Sequence, residues 1–424
     1  MTETPWAAPT ATGPIHSTVR LPGSKSMTAR ALVLAAASVD TSTLRRPLRA
    51  RDTELMAAGL RNLGAQVSTD DEELWVIRPC PPRGSASIDV GLAGTVMRFL
   101  PAYAALADGD VTFDGDPRAR QRPIKPLVDA LRALGVSVSG DNLPLTVHGA
   151  GRVAGGDVTI DASQSSQLVS GLLLAAAGFD AGIVLSHVGS PVPSTPHLRM
   201  TTAMLRAAGA AVDDSVPNVW RVEPGKLSGR AWNIEPDLSN AAPFLASALL
   251  TGGEVTVRDW PRSTTQPGDQ LRLILGAMGG SWTLDTDGLT FRGNGELHGI
   301  DADLSQVGEL TPVIAALCAL AEGPSTLRGI GHIRTHETDR LAALARELTK
   351  IGSKVTEHED GLTIIPGRPT AATIETYDDH RLAHAAAVIG LRVPGIELTD
   401  ISCTSKTMPE FATLWAHLLE GQTP

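Results

Sequence analysis

The chain has 424 residues, 36 Lys+Arg against 46 Asp+Glu, and its formal charge of −10 excludes a surface built to coat nucleic acid or an anionic membrane. Hydrophobic residues at 42% and charged residues at 19% describe a globular chain with an ample core, long enough for two or three domains. Only 6 Phe, 7 Trp and 2 Tyr are available, too few for a base-stacking platform, and the three distant cysteines Cys80, Cys318 and Cys403 form neither a disulfide framework nor a zinc knuckle.

The first segment, MTETPWAAPTATGP, has no basic stretch followed by an apolar one, so it is not a secretory signal. Its Thr/Pro/Ala content predicts a loose tail, and with the cysteine usage it points to the cytoplasm. Apolar stretches such as Leu168 to Phe179 fall short of the roughly 18 residues that a membrane span needs. A strand, HSTVRL at 16 to 21, comes next. Six helices rich in small residues then follow along the chain, beginning near residues 24, 93, 165, 239, 308 and 380. Small side chains in such number predict helices that approach one another closely.

Between these helices a second pattern recurs. A short strand such as VTFDG at 111 or TLRGI at 326 leads into a second helix, which ends at a glycine followed by a hairpin. The helix-end glycines are Gly64, Gly135, Gly209, Gly279 and Gly352, spaced 70 to 74 residues apart, which leaves room for six units. Each stands where a helix C-terminus requires positive φ. Asp-Gly reversals in TLDTDGLTF and VTEHEDGLTII mark the hairpins. The unit therefore reads β-α-β-α-β-β, an α/β (α+β) architecture in two groups of three. One group is expected over 24–234 and the other over 1–23 plus 235–424, with the crossover near Ile234 and the amino-terminal strand pairing into the second group. The last copy lacks its hairpin.

Basic and hydroxyl residues concentrate at the helix starts and in the loops before the second helices: Lys25, Ser26, Arg30, Arg98, Ser165, Ser166, Arg381, and Arg122, Ser194, His336, Arg340 and Lys406. A Ser at a helix start is commonly only a cap, and an Arg in a loop is usually solvated. The recurrence of cations at helix starts, where the dipole is already positive, calls for anions to offset them. The ligands are expected to be phosphorylated or carboxylated small molecules.

The segments LPGSKSMTARALVLAA (21 to 36), LAGTVMRFL (92 to 100), DPRARQRPIKPLVDAL (116 to 131), SSQLVSGLL (165 to 173), HETDRL (336 to 341), DDHRLAHA (378 to 385) and TSKTMPEF (404 to 411) resemble, in order, the motifs of the 5-enolpyruvylshikimate-3-phosphate synthase family. The resemblance implies a two-domain inside-out barrel that closes over its substrates. It implies transfer of the enolpyruvyl group of phosphoenolpyruvate to the 5-hydroxyl of shikimate 3-phosphate, with release of phosphate and no metal or cofactor, by a chain that is typically monomeric. By position, Lys25, Ser26, Arg30, Ser165, Ser166, Gln167 and Ser194 match the groups around shikimate 3-phosphate, with His336 at a substrate-binding position. Lys25, Gly94, Arg122, Arg340, Arg381 and Lys406 match the phosphoenolpyruvate cradle, where guanidinium forks suit phosphate and carboxylate oxygens.

Glu309, in VGELTP, matches an acidic residue near the 5-hydroxyl. The resemblance assigns it proton abstraction from that hydroxyl, and Lys25 proton delivery to the methylene carbon. Glyphosate, which occupies the phosphoenolpyruvate site in this family, is expected to inhibit, since Gly94 leaves room. Four departures stand beside these matches: Leu92 and His332 replace an Asn each, Phe99 a Pro, and His336 a Lys. The related enolpyruvyl transferase of UDP-N-acetylglucosamine relies on a loop cysteine, and none occurs between Cys80 and Cys318. A non-catalytic anion-binding relative is disfavoured by the presence of both Lys25 and Glu309.

Overall fold

The computed structural model of the chain describes residues 4–421. Twelve α-helices occur among them: α1 (Lys25–Ala36), α2 (Arg51–Asn62), α3 (Gly94–Ala104), α4 (Lys125–Ala133), α5 (Ser166–Ala176), α6 (Pro196–Ala207), α7 (Ala242–Thr251), α8 (Leu271–Ala277), α9 (Thr311–Ala319), α10 (Arg340–Lys350), α11 (His380–Gly390) and α12 (Phe411–Glu420). None is long and apolar enough to cross a membrane. Gly23–Ile234 forms one compact unit, here the continuous unit, and the segments before and after it form a second, the split unit.

The continuous unit holds three four-stranded sheets. Its middle sheet shows the plan: Ala86–Asp89 runs parallel to Asp108–Asp114, which pairs antiparallel with Leu145–Ala150, which pairs antiparallel with Ser137–Ser139. The third sheet repeats this order with Gly156–Ile160, Ile183–His187, Val219–Val222 and Val212–Asp213. In the first sheet the place of the leading strand is taken from far along the chain, because Ala231–Asn233 lies parallel to Ser42–Arg45. The core is a single cluster that runs from Ala29 to Ile234.

The second helix of each repeat ends on glycine at positive φ: 104° at Gly64, 86° at Gly135 and 95° at Gly209 in the continuous unit, then 120° at Gly279 and 100° at Gly352 in the split unit. The small-residue helices α1, α3 and α5 pack on one another inside the continuous unit. They run the same way, since Arg30 meets Ser170 and Arg98 meets Gln167 near their starts, while Tyr103 donates to the Ala36 carbonyl at 3.1 Å near their ends. A Cβ on Gly171 would stand 2.0 Å from the Arg98 carbonyl oxygen, so glycine sets the separation of α3 and α5.

The split unit uses the same plan with its own helices α7, α9 and α11 in mutual contact around a core of residues from Ala8 to Leu418. Its first sheet takes its leading strand from the chain start: His16–Val19 runs parallel to Glu254–Arg258. Its last sheet has three strands, and there the expectation of a loose amino-terminal tail is corrected. Trp6–Ala7 pairs antiparallel with Glu397–Leu398, which runs parallel to Thr373–Ile374. The Ala8 amide donates to the Ile396 carbonyl, the Ala11 amide donates to the Leu391 carbonyl, and Ala8 is 7% exposed against Gly390. The sixth repeat lacks its own hairpin, so an open strand edge accepts the tail as the missing antiparallel strand. Residues 1–3 of that segment lie outside the described residues.

Candidate active site

In the continuous unit the parallel course of α1, α3 and α5 brings their amino-termini to one end, where the backbone N–H groups and the dipoles favour anions. Ser24 caps α1 and Ser165 caps α5, its hydroxyl accepting from the Gln167 amide at 3.3 Å. Ser166 is buried and Ser26 half-buried. Ser194, at φ 53°, holds the turn before α6 and accepts from the His197 amide.

Gly94 opens α3 without a side chain, and three polar groups converge on the space a Cβ would fill. The Arg122 Nη2 would stand 2.9 Å from that atom, the Gln167 Oε1 3.0 Å and the Arg98 Nη1 3.1 Å. Arg122 is 6% exposed and donates to the Leu92 carbonyl at 3.0 Å. Arg98 donates to Gln167 Oε1 at 2.9 Å, and to the Pro123 carbonyl at 3.2 and 3.1 Å. It thus ties the segment that carries Arg122 to the side chain of Gln167.

Lys25 lies 3.3 Å from the Asp52 carboxylate, which is 3% exposed in the first turn of α2. Arg30 is 1% exposed. Its guanidinium donates to Thr201 Oγ1 at 2.8 Å, to the Ser26 carbonyl at 2.9 Å, to Ser170 Oγ at 3.3 Å and to the His197 carbonyl at 3.2 Å, and it lies over the Phe99 ring at 5.1 Å from its centroid. The phenylalanine that stands in the place of a proline therefore supports this arginine.

The split unit assembles the other expected residues into one connected network. Lys406 Nζ lies 2.5 Å from Glu337 Oε1, and the other oxygen of Glu337 accepts from Arg340 at 3.0 Å. Arg340 also meets Asp379 at 2.7 and 3.0 Å and His336 Nδ1 at 3.1 Å. Asp379 caps α11 by accepting from the Arg381 amide at 2.9 Å. Arg381 donates to the Ser239 carbonyl at 2.8 Å, and its Nη2 lies 3.5 Å from Glu309, which is 28% exposed in the 3-10 turn Gly308–Leu310 that leads into α9.

Burial and charge set the protonation of this network. Burial opposes the charge of Arg340, but the carboxylates of Asp379 and Glu337 more than offset it and push its pKa up. Burial pulls His332 down to about 4, with Arg340 adding to that and Glu309 opposing it. Burial, then Arg381 and Arg340, hold His384 well below the usual histidine range.

The acidic partners are what sequence reasoning missed. Cations at helix starts imply external anions, yet Asp52, Glu337 and Asp379 supply much of the compensation from within. Glu337 could have been found from its i,i+3 spacing to Arg340 in HETDRL, and Asp379 from its N-cap position in DDHR. Asp52 left no such signal. Arg98, expected to face an anion, instead serves carbonyl oxygens within the fold.

The six-repeat plan with gathered helix starts is the architecture of the enolpyruvyl transferases. EPSP synthase of Acinetobacter baumannii superposes with a TM-score of 0.82 at 23% identity, over 98% of each chain. The enolpyruvyl transferase NikO of Streptomyces tendae gives 0.76 at 17% identity, over 98% of this chain and 97% of that one. The family model of EPSP synthase (3-phosphoshikimate 1-carboxyvinyltransferase) matches residues 9–415. A curated 3-phosphoshikimate 1-carboxyvinyltransferase of Mycobacterium ulcerans (strain Agy99) is 50% identical over 428 residues, 99% of either sequence. The chain belongs to the EPSP synthase family.

Proposed function

We propose that this protein transfers the enolpyruvyl group of phosphoenolpyruvate to the 5-hydroxyl of shikimate 3-phosphate, in the cytoplasm and as a monomer. The observation that carries the reaction is full-length identity of 50% to a 3-phosphoshikimate 1-carboxyvinyltransferase, in a chain that has the whole set Lys25, Arg122, Arg340, Arg381 and Lys406.

The chemistry protonates the methylene carbon of phosphoenolpyruvate, so that its C2 becomes electrophilic. The 5-hydroxyl adds to C2 and gives up its proton. The tetrahedral adduct then expels phosphate while the methyl carbon returns a proton, which restores the double bond as an enol ether. Lys25 is the acid for the methylene carbon, and its pairing with buried Asp52 fixes the ammonium in place. Glu309 takes the hydroxyl proton. Arg122, Arg340, Arg381 and Lys406 hold phosphate and carboxylate oxygens, and because the Leu92 and Ser239 carbonyls orient Arg122 and Arg381 while Asp379 and Glu337 orient Arg340 and Lys406, little reorganisation is needed when charge shifts. Gly94 keeps clear the space at the Arg122 and Gln167 tips, and the same clearance supports occupation of that site by glyphosate. Ser26, Arg30, Ser165, Ser166, Gln167, Ser194 and His336 bind shikimate 3-phosphate, Arg30 by bracing Ser26 through its carbonyl.

The test is a single assay of phosphate release from phosphoenolpyruvate in the presence of shikimate 3-phosphate, with the enol ether identified by mass. Release only with UDP-N-acetylglucosamine, or binding of both substrates without release, would overturn the reading.

A further inference from the structure

The turn that leads into α11 passes through two consecutive non-glycine residues in the left-handed region, Tyr377 at φ 53° and Asp378 at φ 54°. Side chains with a Cβ rarely adopt this backbone, and an aromatic residue holds it only where its surroundings impose it.

Those surroundings come from α10 and from the strand end at Thr399. Glu347, 3% exposed, lies two turns after Arg340 on α10. Its Oε1 accepts from the Tyr377 hydroxyl at 2.7 Å and its Oε2 accepts from the Glu375 amide at 3.1 Å, while Lys350 balances its charge at 2.7 Å. Arg346, beside it, donates to the same Tyr377 oxygen at 2.9 Å. Thr399 Oγ1 accepts from the Thr376 amide at 3.1 Å and donates to Glu375 Oε1 at 3.2 Å.

What the turn delivers is Asp379, fully buried, which holds Arg340 and caps α11 at Arg381. A closed ring results: α10 starts at Arg340, Arg340 meets Asp379, Asp379 follows the strained turn, and Tyr377 of that turn returns to Glu347 on α10. Fixing Tyr377 from α10 fixes the distance between Asp379 and the arginine on the same helix.

We propose that Tyr377, stapled by Glu347, is a positioning residue that sets the spacing of Arg340 and Arg381 and thereby the affinity of the anion site they form. The proposal rests on the reading that these two arginines grip phosphoenolpyruvate. Without the staple the turn relaxes toward ordinary backbone, Asp379 shifts, and the two guanidinium groups lose their mutual register.

The experiment is steady-state kinetics on the full chain for Tyr377→Phe, Glu347→Gln, the double variant and Arg340→Ala. Tyr377→Phe should raise the KM for phosphoenolpyruvate about 5- to 10-fold, the scale of one ordinary hydrogen bond lost, with kcat and the KM for shikimate 3-phosphate within about twofold. The double variant should be no worse than the more affected single variant, because both substitutions act on the same Tyr377–Glu347 hydrogen bond, which Tyr377→Phe removes and Glu347→Gln weakens. Adding Asp378→Gly to Tyr377→Phe should recover part of the lost affinity, as glycine takes φ 54° without strain. A merely structural role would lower the melting temperature and leave the KM for phosphoenolpyruvate within twofold, and that result overturns the proposal. If Arg340→Ala raises that KM and Tyr377→Phe does not, only the proposal falls. If Arg340→Ala leaves it unchanged, the reading of the arginines fails instead. Should Tyr377→Phe not fold, Glu347→Gln is judged by the same criterion.

Discussion

Glu309 and His384 lie in the same unit and illustrate opposite uses of a titratable group. Glu309 is partly exposed and lies 3.5 Å from Arg381, whereas Asp379 is buried and held by two hydrogen bonds from Arg340. Glu309→Gln keeps its shape and removes its basicity, so kcat should fall about 10²-fold or more while shikimate 3-phosphate still binds. Calorimetric titration with that substrate beside turnover assays checks both halves, and near-normal kcat would remove Glu309 from the mechanism. His384 is 0% exposed against Phe411, and neither ring nitrogen has a hydrogen-bond partner among the described residues. Its fold therefore favours the neutral ring. The unfolded chain binds a proton below about pH 6.5 that the folded chain refuses, so the stability linked to neutral His384 is full above that pH and declines as pH falls, by at most about 1.4 kcal/mol per unit. His384→Leu should flatten this acid limb in urea titrations at pH 7.5 and 5, and an unchanged difference between the two pH values would contradict the assignment. His332, pulled to about 4, adds to the decline in wild type over the same window.

At the scale of elements, the small-residue helices show why sequence pattern was informative. Repeated Ala, Gly and Ser predict close helix approach, and Gly171 realises it against the Arg98 backbone. Gly171→Ala would place a methyl carbon 2.0 Å from a carbonyl oxygen that cannot rotate away, so α3 and α5 must separate. A loss of about 3 kcal/mol in urea unfolding is expected, at the upper end of overpacking costs, together with weaker phosphoenolpyruvate binding because Gly94, Arg98 and Gln167 ride on these two helices. A loss below about 1 kcal/mol would mean the helices have slack. The helix-end glycines were equally readable, since a local requirement for positive φ leaves a residue-level mark. Arg30 and Arg98 were not: a sequence shows a guanidinium at a helix start, but whether it faces a ligand or is used up on Thr201, Ser170 and the Pro123 carbonyl depends on residues up to 171 positions away.

For the molecule as a whole, the buried clusters follow the division of the chain: one draws only on residues 29–234 and the other on residues before and after that span. A separate core is the condition for separate folding. The segment 23–234 expressed alone should therefore unfold cooperatively in urea, whereas deletion of residues 1–21 should disrupt the split unit, which loses the strand His16–Val19 and the buried Ile15, Val19 and Leu21. A non-cooperative transition for the isolated segment would show that the two cores depend on one another. The amino-terminal segment is the case where composition misled. Thr, Pro and Ala describe a chain with no drive to order by itself, but an unpaired strand edge elsewhere in the molecule supplies the drive.

The order and spacing of the repeats, the positive-φ glycines and the set of cations were determined by the sequence alone, because each depends on residues near one another along the chain and leaves a periodic or motif-level trace. The pairing of Lys25 with Asp52, of Lys406 with Glu337, and of Tyr377 with Glu347 was decided only by tertiary structure. Those contacts join residues 27, 69 and 30 positions apart, and no local pattern reports them.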